Sequence, residues 1–120
     1  MKDQRLQTGR QGEQLAKRYL ESQGWHIVAT NWRCRAGEID IVAQDGNCLV
    51  FVEVRTRTSN RFGSPSESVD WRKQKKIRQV ASIFLSMNTV CVSRIRFDMI
   101  SIRMVENGQT PALEHIENAF

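Results

Sequence analysis

Two apolar runs stand close together in the middle of this chain, Glu38-Ile39-Asp40-Ile41-Val42-Ala43 and Leu49-Val50-Phe51-Val52-Glu53-Val54-Arg55, joined around Asp45-Gly46-Asn47-Cys48. No other segment narrows the possible folds as much. β-Branched and aromatic residues dominate both runs, and a Gly-Asn centre suits a type II′ turn because glycine takes the positive φ at the first central position. The pair therefore reads as a β-hairpin. With Gly46 and Asn47 central, Asp40 stands opposite Glu53 and Glu38 opposite Arg55. The period of two then predicts Glu38, Asp40, Glu53, Arg55 and Arg57 on one face and Ile39, Ile41, Val52 and Val54 on the other. One side of the hairpin reads as apolar and the other as densely ionic.

Before the hairpin, Thr8-Gly9-Arg10-Gln11 fits a capping box, and Leu15, Ala16, Tyr19 and Leu20 recur at helical spacing. Gly24 is a left-handed stop, so a helix is expected over about 9–23. Gly9-Arg10-Gln11-Gly12 is too short to count as a phosphate-binding loop, and its glycines read as helix-start residues. Trp25 to Arg33 is rich in β-formers and predicts the first strand. After the hairpin, Thr56 to Ser64 reads as a loop, and Ser64-Pro65-Ser66-Glu67 offers a second capping box, with Asp70 an alternative cap. A helix then runs to about Met87 with the stripe Val69, Ile77, Val80, Ala81, Phe84 and Leu85. Arg94 to Met104 predicts a fourth strand, and Ala112 to Phe120 a short terminal helix. The order helix, three strands, helix, strand predicts an α/β domain with a central mixed sheet, a single unit over residues 1–120.

The chain has 120 residues, of which 40% are hydrophobic and 26% charged, values that exclude disordered and collagen-like classes. No run reaches transmembrane length and no signal-peptide pattern opens the chain, so a cytoplasmic protein is expected. The excess of 18 Lys and Arg over 13 Asp and Glu, a net charge of +5, favours a polyanionic partner. Cys34, Cys48 and Cys91 are odd in number and scattered, and read as reduced thiols. There is no CxxC, and His26 and His115 are far apart, so no zinc pattern is present.

Like charges opposite each other on a sheet repel by roughly 3 kcal/mol at about 5 Å and an effective dielectric near 20. Asp40 and Glu53 therefore need a remedy. One carboxyl keeps its proton, or a cation sits between them, or Arg55 and Arg57 neutralise both in a surface network. Two convergent carboxylates with open water positions are what Mg²⁺ accepts when it also binds phosphate. Lys73 lies in line with Val69, Ile77 and Val80 on the inward helix face, in the first turn if Asp70 caps. It either serves the acids or snorkels towards water. Arg72, Lys75, Lys76 and Arg78 project outward, as phosphate contacts or as a solvated face. Trp25, Trp32 and Trp71 read as core or rim residues, not base-stacking platforms, and Asp98 as a residue that aligns the last strand.

Gly37 to Ala43 followed by Phe51-Val52-Glu53-Val54-Arg55-Thr56-Arg57 resembles the acidic hairpin of the PD-(D/E)XK nuclease superfamily. With Gly12-Glu13, Asn31, Phe62-Gly63, Lys73 and Arg96-Phe97-Asp98, the series looks like the YraN-like family and covers nearly the whole chain. That family is similar to archaeal Holliday junction resolvases and restriction enzymes. The resemblance implies a restriction-endonuclease-like fold and a metal-dependent DNA endonuclease hydrolysing phosphodiester bonds, with branched or damaged DNA as substrate and a homodimer by analogy. Asp40 and Glu53 would bind Mg²⁺ or Mn²⁺, and Glu13 would match an acidic residue that related enzymes supply from the first helix. Read from the residues alone, Glu13 is equally a helix N-terminal glutamate favoured by the macrodipole. Arg57, Arg72, Lys75, Lys76 and Arg78 would contact the nucleic acid. The superfamily's lysine two residues after the glutamate is Arg55 here, which stays charged but cannot act as a base, and Lys73 would supply the ammonium. That departure keeps open the alternative of a non-catalytic nucleic-acid-binding module with a vestigial nuclease site.

Overall fold

In the computed structural model, which describes residues 4–57, 70–104 and 110–120, both faces of the central hairpin are covered. Ile39 and Ile41 to Ala43 of β2 (Gly37–Asp45), and Cys48 to Val52 of β3 (Cys48–Arg57), are all buried. Unbroken burial is what a strand shows when layers pack on both its sides. Ala16 and Leu20 of α1 (Gln4–Ser22) close one side over Ile41, Ala43, Val50 and Val52. Ile77, Val80, Ala81 and Phe84 of α2 (Trp71–Met87) close the other over Ile39, Val42, Leu49 and Phe51. With β1 (His26–Cys34), β4 (Arg94–Arg103) and β5 (Ala112–Ile116), the sheet has five strands in the order β1-β2-β3-β4-β5. All neighbours are antiparallel except β3 and β4, the parallel pair joined through α2. The protein is thus α/β with a mixed sheet between two helices.

The turn is as expected. Asp45 pairs with Cys48, Gly46 has φ +57°, and Asn47 is not among the residues of positive φ. At the end of α1, Gly24 has φ +87°, its N–H donates to the Glu21 carbonyl, and the Trp25 N–H donates to that of Leu20. These two bonds make a Schellman stop.

α1 begins at Gln4, so Thr8 lies inside it and the Thr8–Gln11 box does not cap it. No glycine or proline between Gln4 and Thr8 interrupts the helix. Gly12 consequently sits well within α1, where a Cβ would lie 1.9 Å from Thr56 Oγ1. Its role is close approach of helix to strand, which sets the next residue, Glu13, beside the sheet. Gly12→Ala should lower the melting temperature despite alanine's better helix propensity, because overpacking costs about 1–3 kcal/mol against a propensity gain of about 1. The double variant with Thr56→Ala should recover most of the loss in the same thermal melt; equal melting of single and double variants would contradict the close approach.

β3 continues through Thr56 and Arg57, where a loop is expected from the sequence. The rest of that loop, Phe62-Gly63, the Ser64–Glu67 box and Val69 lie outside the described residues. Asp70 caps α2, accepting from the Lys73 N–H at 2.9 Å.

The expected terminal helix is instead a strand. β5 pairs antiparallel with β4, Ile102 opposite Leu113 and Ile100 opposite His115. Without it β4 would be an open edge, and the packing of half-buried Leu113 against the α1-side core favours pairing over local helix formation. Asp98 on β4 is fully buried and anchors this end. Arg96 donates to its two oxygens from Nε at 2.8 Å and Nη2 at 2.9 Å, the Asn118 N–H donates at 3.1 Å, and His115 Nε2 lies 2.7 Å away. His115 Nδ1 in turn meets the Tyr19 hydroxyl at 3.0 Å. Burial alone would raise the Asp98 pKa, but the hydrogen bonds from His115, Arg96 and Asn118 overcome it and hold the carboxyl below the ordinary range.

Candidate functional site

β1 and β2 depart from the period of two at two places: their register shifts between Ile27 and Ala29, and further along, within one register, both strands change faces at Asn31 and Asp40. Thr30 pairs with Ile41 and Trp32 with Ile39, and Asn31 and Asp40 stand between these pairs. Ala29, Trp32, Ile39 and Val42 pack on the α2 side. Thr30, Asn31, Asp40 and Ile41 line one hollow with Arg10, Glu13 and Lys17 of α1. Each strand therefore places two successive residues on the same side. Asn31 makes this possible with φ +50°, a left-handed conformation that asparagine tolerates better than most residues.

Two expectations change as a result. Ile39 and Ile41 face opposite layers, so the hairpin does not divide into an apolar and an ionic side; its charges gather at one end of β2 and β3. Glu38 is paired with Arg33 of β1, at 3.3 Å from Nε, and the β2–β3 ladder stops before the Glu38–Arg55 position.

The β2–β3 ladder ends at Ile41 and Val52. Asp40, the next residue out, accepts the Val54 N–H at 2.8 Å through Oδ2, so its carboxylate takes the place of a main-chain acceptor where the strands part. Burial, and then the charge of Glu53, push the Asp40 pKa up to about 8; the Val54 N–H opposes them, and Glu13 adds to the rise. Burial also raises Glu13, Asn31 opposes this by hydrogen bonding, and Glu38 and Glu53 add their repulsion. Glu53 lies on the α2 side, where Lys73 Nζ is 2.5 Å from its Oε1. The site is thus a small acidic field straddling the end of the sheet, with one ammonium already on it.

Glu13, Asp40, Glu53 and Lys73 are brought together by α1, β2, β3 and α2 respectively. Arg55 and Arg57 are half-buried on β3, opposite Ser101 and Arg103 of β4. Arg72, Lys75 and Lys76 are exposed along α2 and, with Lys73, line a groove of about 500 Å³. Arg78 is exposed on the same helix, with its guanidinium 4.7 Å from the Phe97 ring centroid. Among the described residues no group of three His, Cys, Asp or Glu side chains is arranged to hold a metal ion. Magnesium needs fewer, since it keeps several waters and takes one or two carboxylates plus phosphate oxygens. The oxygen donors of Asp40 and Glu53, and an Asp40 carboxyl whose pKa is raised first by burial and then by the charge of Glu53, fit such a cation.

The family model described as Uncharacterised protein family UPF0102 matches residues 12–102. The chain belongs to this family. A UPF0102 protein of Pelotomaculum thermopropionicum is 44% identical over 120 residues, the whole of both chains. Those of Geobacter metallireducens and Rhodococcus jostii are 48% and 46% identical, over 93% and 96% of this chain and 90% and 97% of their own. The segment matching UPF0102 runs from Gly12 into β4 and includes every candidate residue named above. Asn31 belongs with them through its contact to Glu13. Its signal in the sequence was an asparagine inside a run of β-formers, the residue most able to turn left-handed there. Among the described residues no helix is long and apolar enough to cross a membrane.

Proposed function

We propose that this UPF0102 protein is a Mg²⁺- or Mn²⁺-dependent DNA endonuclease of restriction-endonuclease-like fold. The carrying observation is the meeting of Asp40 and Glu53, from opposite sides of the sheet, with the Lys73 ammonium 2.5 Å from Glu53. Asp40 and Glu53 would hold the cation, which supplies Lewis acidity towards a phosphodiester and a water. Asp40 enters that role by giving up the proton its surroundings favour. Lys73 offsets negative charge beside Glu53 and stands where phosphate oxygens would gather. Arg55, two residues after Glu53, adds fixed positive charge without proton transfer. Glu13, held by Asn31, completes the acidic field from α1. Arg57, Arg72, Lys75, Lys76 and Arg78 would contact phosphates, consistent with the net charge of +5.

The test is a cleavage screen over duplex, single-stranded, flap and four-way DNA with Mg²⁺ or Mn²⁺. Metal-dependent products are expected from at least one substrate, and Arg55→Lys should preserve or raise their rate. Arginine at the position of the superfamily's lysine favours a second reading, a nucleic-acid-binding module with a vestigial site. Salt-sensitive binding that persists without metal, with no cutting by either the wild type or Arg55→Lys, would establish that reading instead.

A further inference from the structure

We infer that Trp71 is a stacking platform for an unpaired base, so that the strand received along α2 is DNA with single-stranded character; this deepens the DNA reading and rests on it. From the sequence, all three tryptophans are expected in core or rim. Trp25 is buried and Trp32 packs edge-on against Phe84, but Trp71 is 67% exposed at the start of α2. A single exposed apolar side chain is ordinary on a protein surface, so what singles out Trp71 is the set of groups around it.

Its neighbours say what would cover it. Lys75 and Arg78 follow at i+4 and i+7, so an aromatic ring and two cations share one stripe of the helix, roughly 5–6 Å apart per turn. The Arg72 guanidinium lies 5.4 Å from the Trp71 ring centroid and also lines the groove that holds Lys73, Lys75 and Lys76. Lys73 of that groove also reaches the acidic centre through its ion pair with Glu53. Cations along one helix beside a largely exposed aromatic ring, with Arg72 over one of its faces, are the components of single-strand binding, in which charge follows the backbone and rings receive bases. Inside an intact duplex every base is already stacked, so the indole gains a partner only at a flap, gap or frayed end.

The experiment is fluorescence anisotropy with one labelled DNA sequence, single-stranded and as a blunt duplex, in low salt with Ca²⁺ as the cation. Stacking is worth about fivefold or more in affinity per base. Trp71→Ala should therefore weaken single-strand binding by at least about fivefold and duplex binding by less than about twofold, Trp71→Phe should retain most of the affinity, and Lys75→Ala should weaken both alike. Because the side chain is exposed, thermal melts of the Trp71 variants should match wild type. Unchanged single-strand affinity in Trp71→Ala, or an equal loss on both DNAs, overturns the inference while leaving the DNA reading intact. Failure of the wild type to bind either DNA defeats the DNA reading itself.

Discussion

Asp98→Asn should cost about 3–5 kcal/mol of folding stability, the range for removing one partner of a buried ion pair. For a domain of this size that lowers the melting temperature by roughly 10–20 °C. The loss arises because Arg96, whose side chain is 11% exposed, keeps its charge while its bidentate partner becomes neutral. Glu117 lies 3.8 Å from Arg96 Nη1 but is largely in water, where an ion pair contributes little. The substitution should also change the acid response. A carboxyl whose folded pKa is depressed stabilises above its unfolded value, and that contribution disappears as pH falls through the folded value. Wild type should therefore lose stability steeply below about pH 4, and Asp98→Asn should show a shallower slope there. A shift of only a degree or two at pH 7 in thermal melts would show that Arg96 does not depend on Asp98.

Asp40→Asn should do the opposite to the metal-free fold while abolishing function. The folded pKa of Asp40 is raised to about 8, so its favourable contribution is complete below its unfolded pKa and is lost as pH rises through the folded value. Asparagine keeps an oxygen to accept the Val54 N–H and removes the charge. The variant should melt like wild type near pH 4 and higher than wild type near pH 8. Mg²⁺ or Mn²⁺ binding by calorimetry should vanish in both Asp40→Asn and Glu53→Gln. Cleavage should fall at least about a hundredfold, since even residues supporting a metal ligand cost about 10–100-fold when removed. Retained metal binding in both variants would remove these two side chains as ligands. Lower stability of Asp40→Asn at pH 8 would mean that its charge is held by a structural ion network.

Much of the site was legible because local chemistry wrote it. Gly46-Asn47 fixed the hairpin register, and with it the proximity of Asp40 and Glu53. Asp70 fixed the start of α2, which put Lys73 in its first turn on the inward side. Tertiary demands account for the rest. The face change at Asn31 and Asp40 leaves no mark on hydrophobic periodicity, because Ile39 and Ile41 are apolar whichever layer they meet. Continuous apolar runs also hide whether one or both faces are covered, so the two-sided burial of β2 and β3 could not be read from them. Ala112 to Ile116 has no strong preference of its own and becomes a strand because β4 presents an unpaired edge. Trp71 falls outside the core for a plainer reason: hydrophobicity alone does not say which large residue a fold will leave outside.

The paired kink also constrains how this protein can change over time. Because β1 and β2 switch faces at the same rung, losing one residue from either strand alone would turn every later side chain of that strand to the wrong layer. Loss of one residue from both would restore alternation across this rung and keep the core, with the separate register shift between Ile27 and Ala29 unchanged, yet it would take away the Asn31 or Asp40 that opens towards Glu13. Length variation is thus closed off across this rung for any lineage that uses the acidic centre. A descendant freed from that use could straighten the two strands together, leaving a shorter hairpin as the trace of an abandoned chemistry.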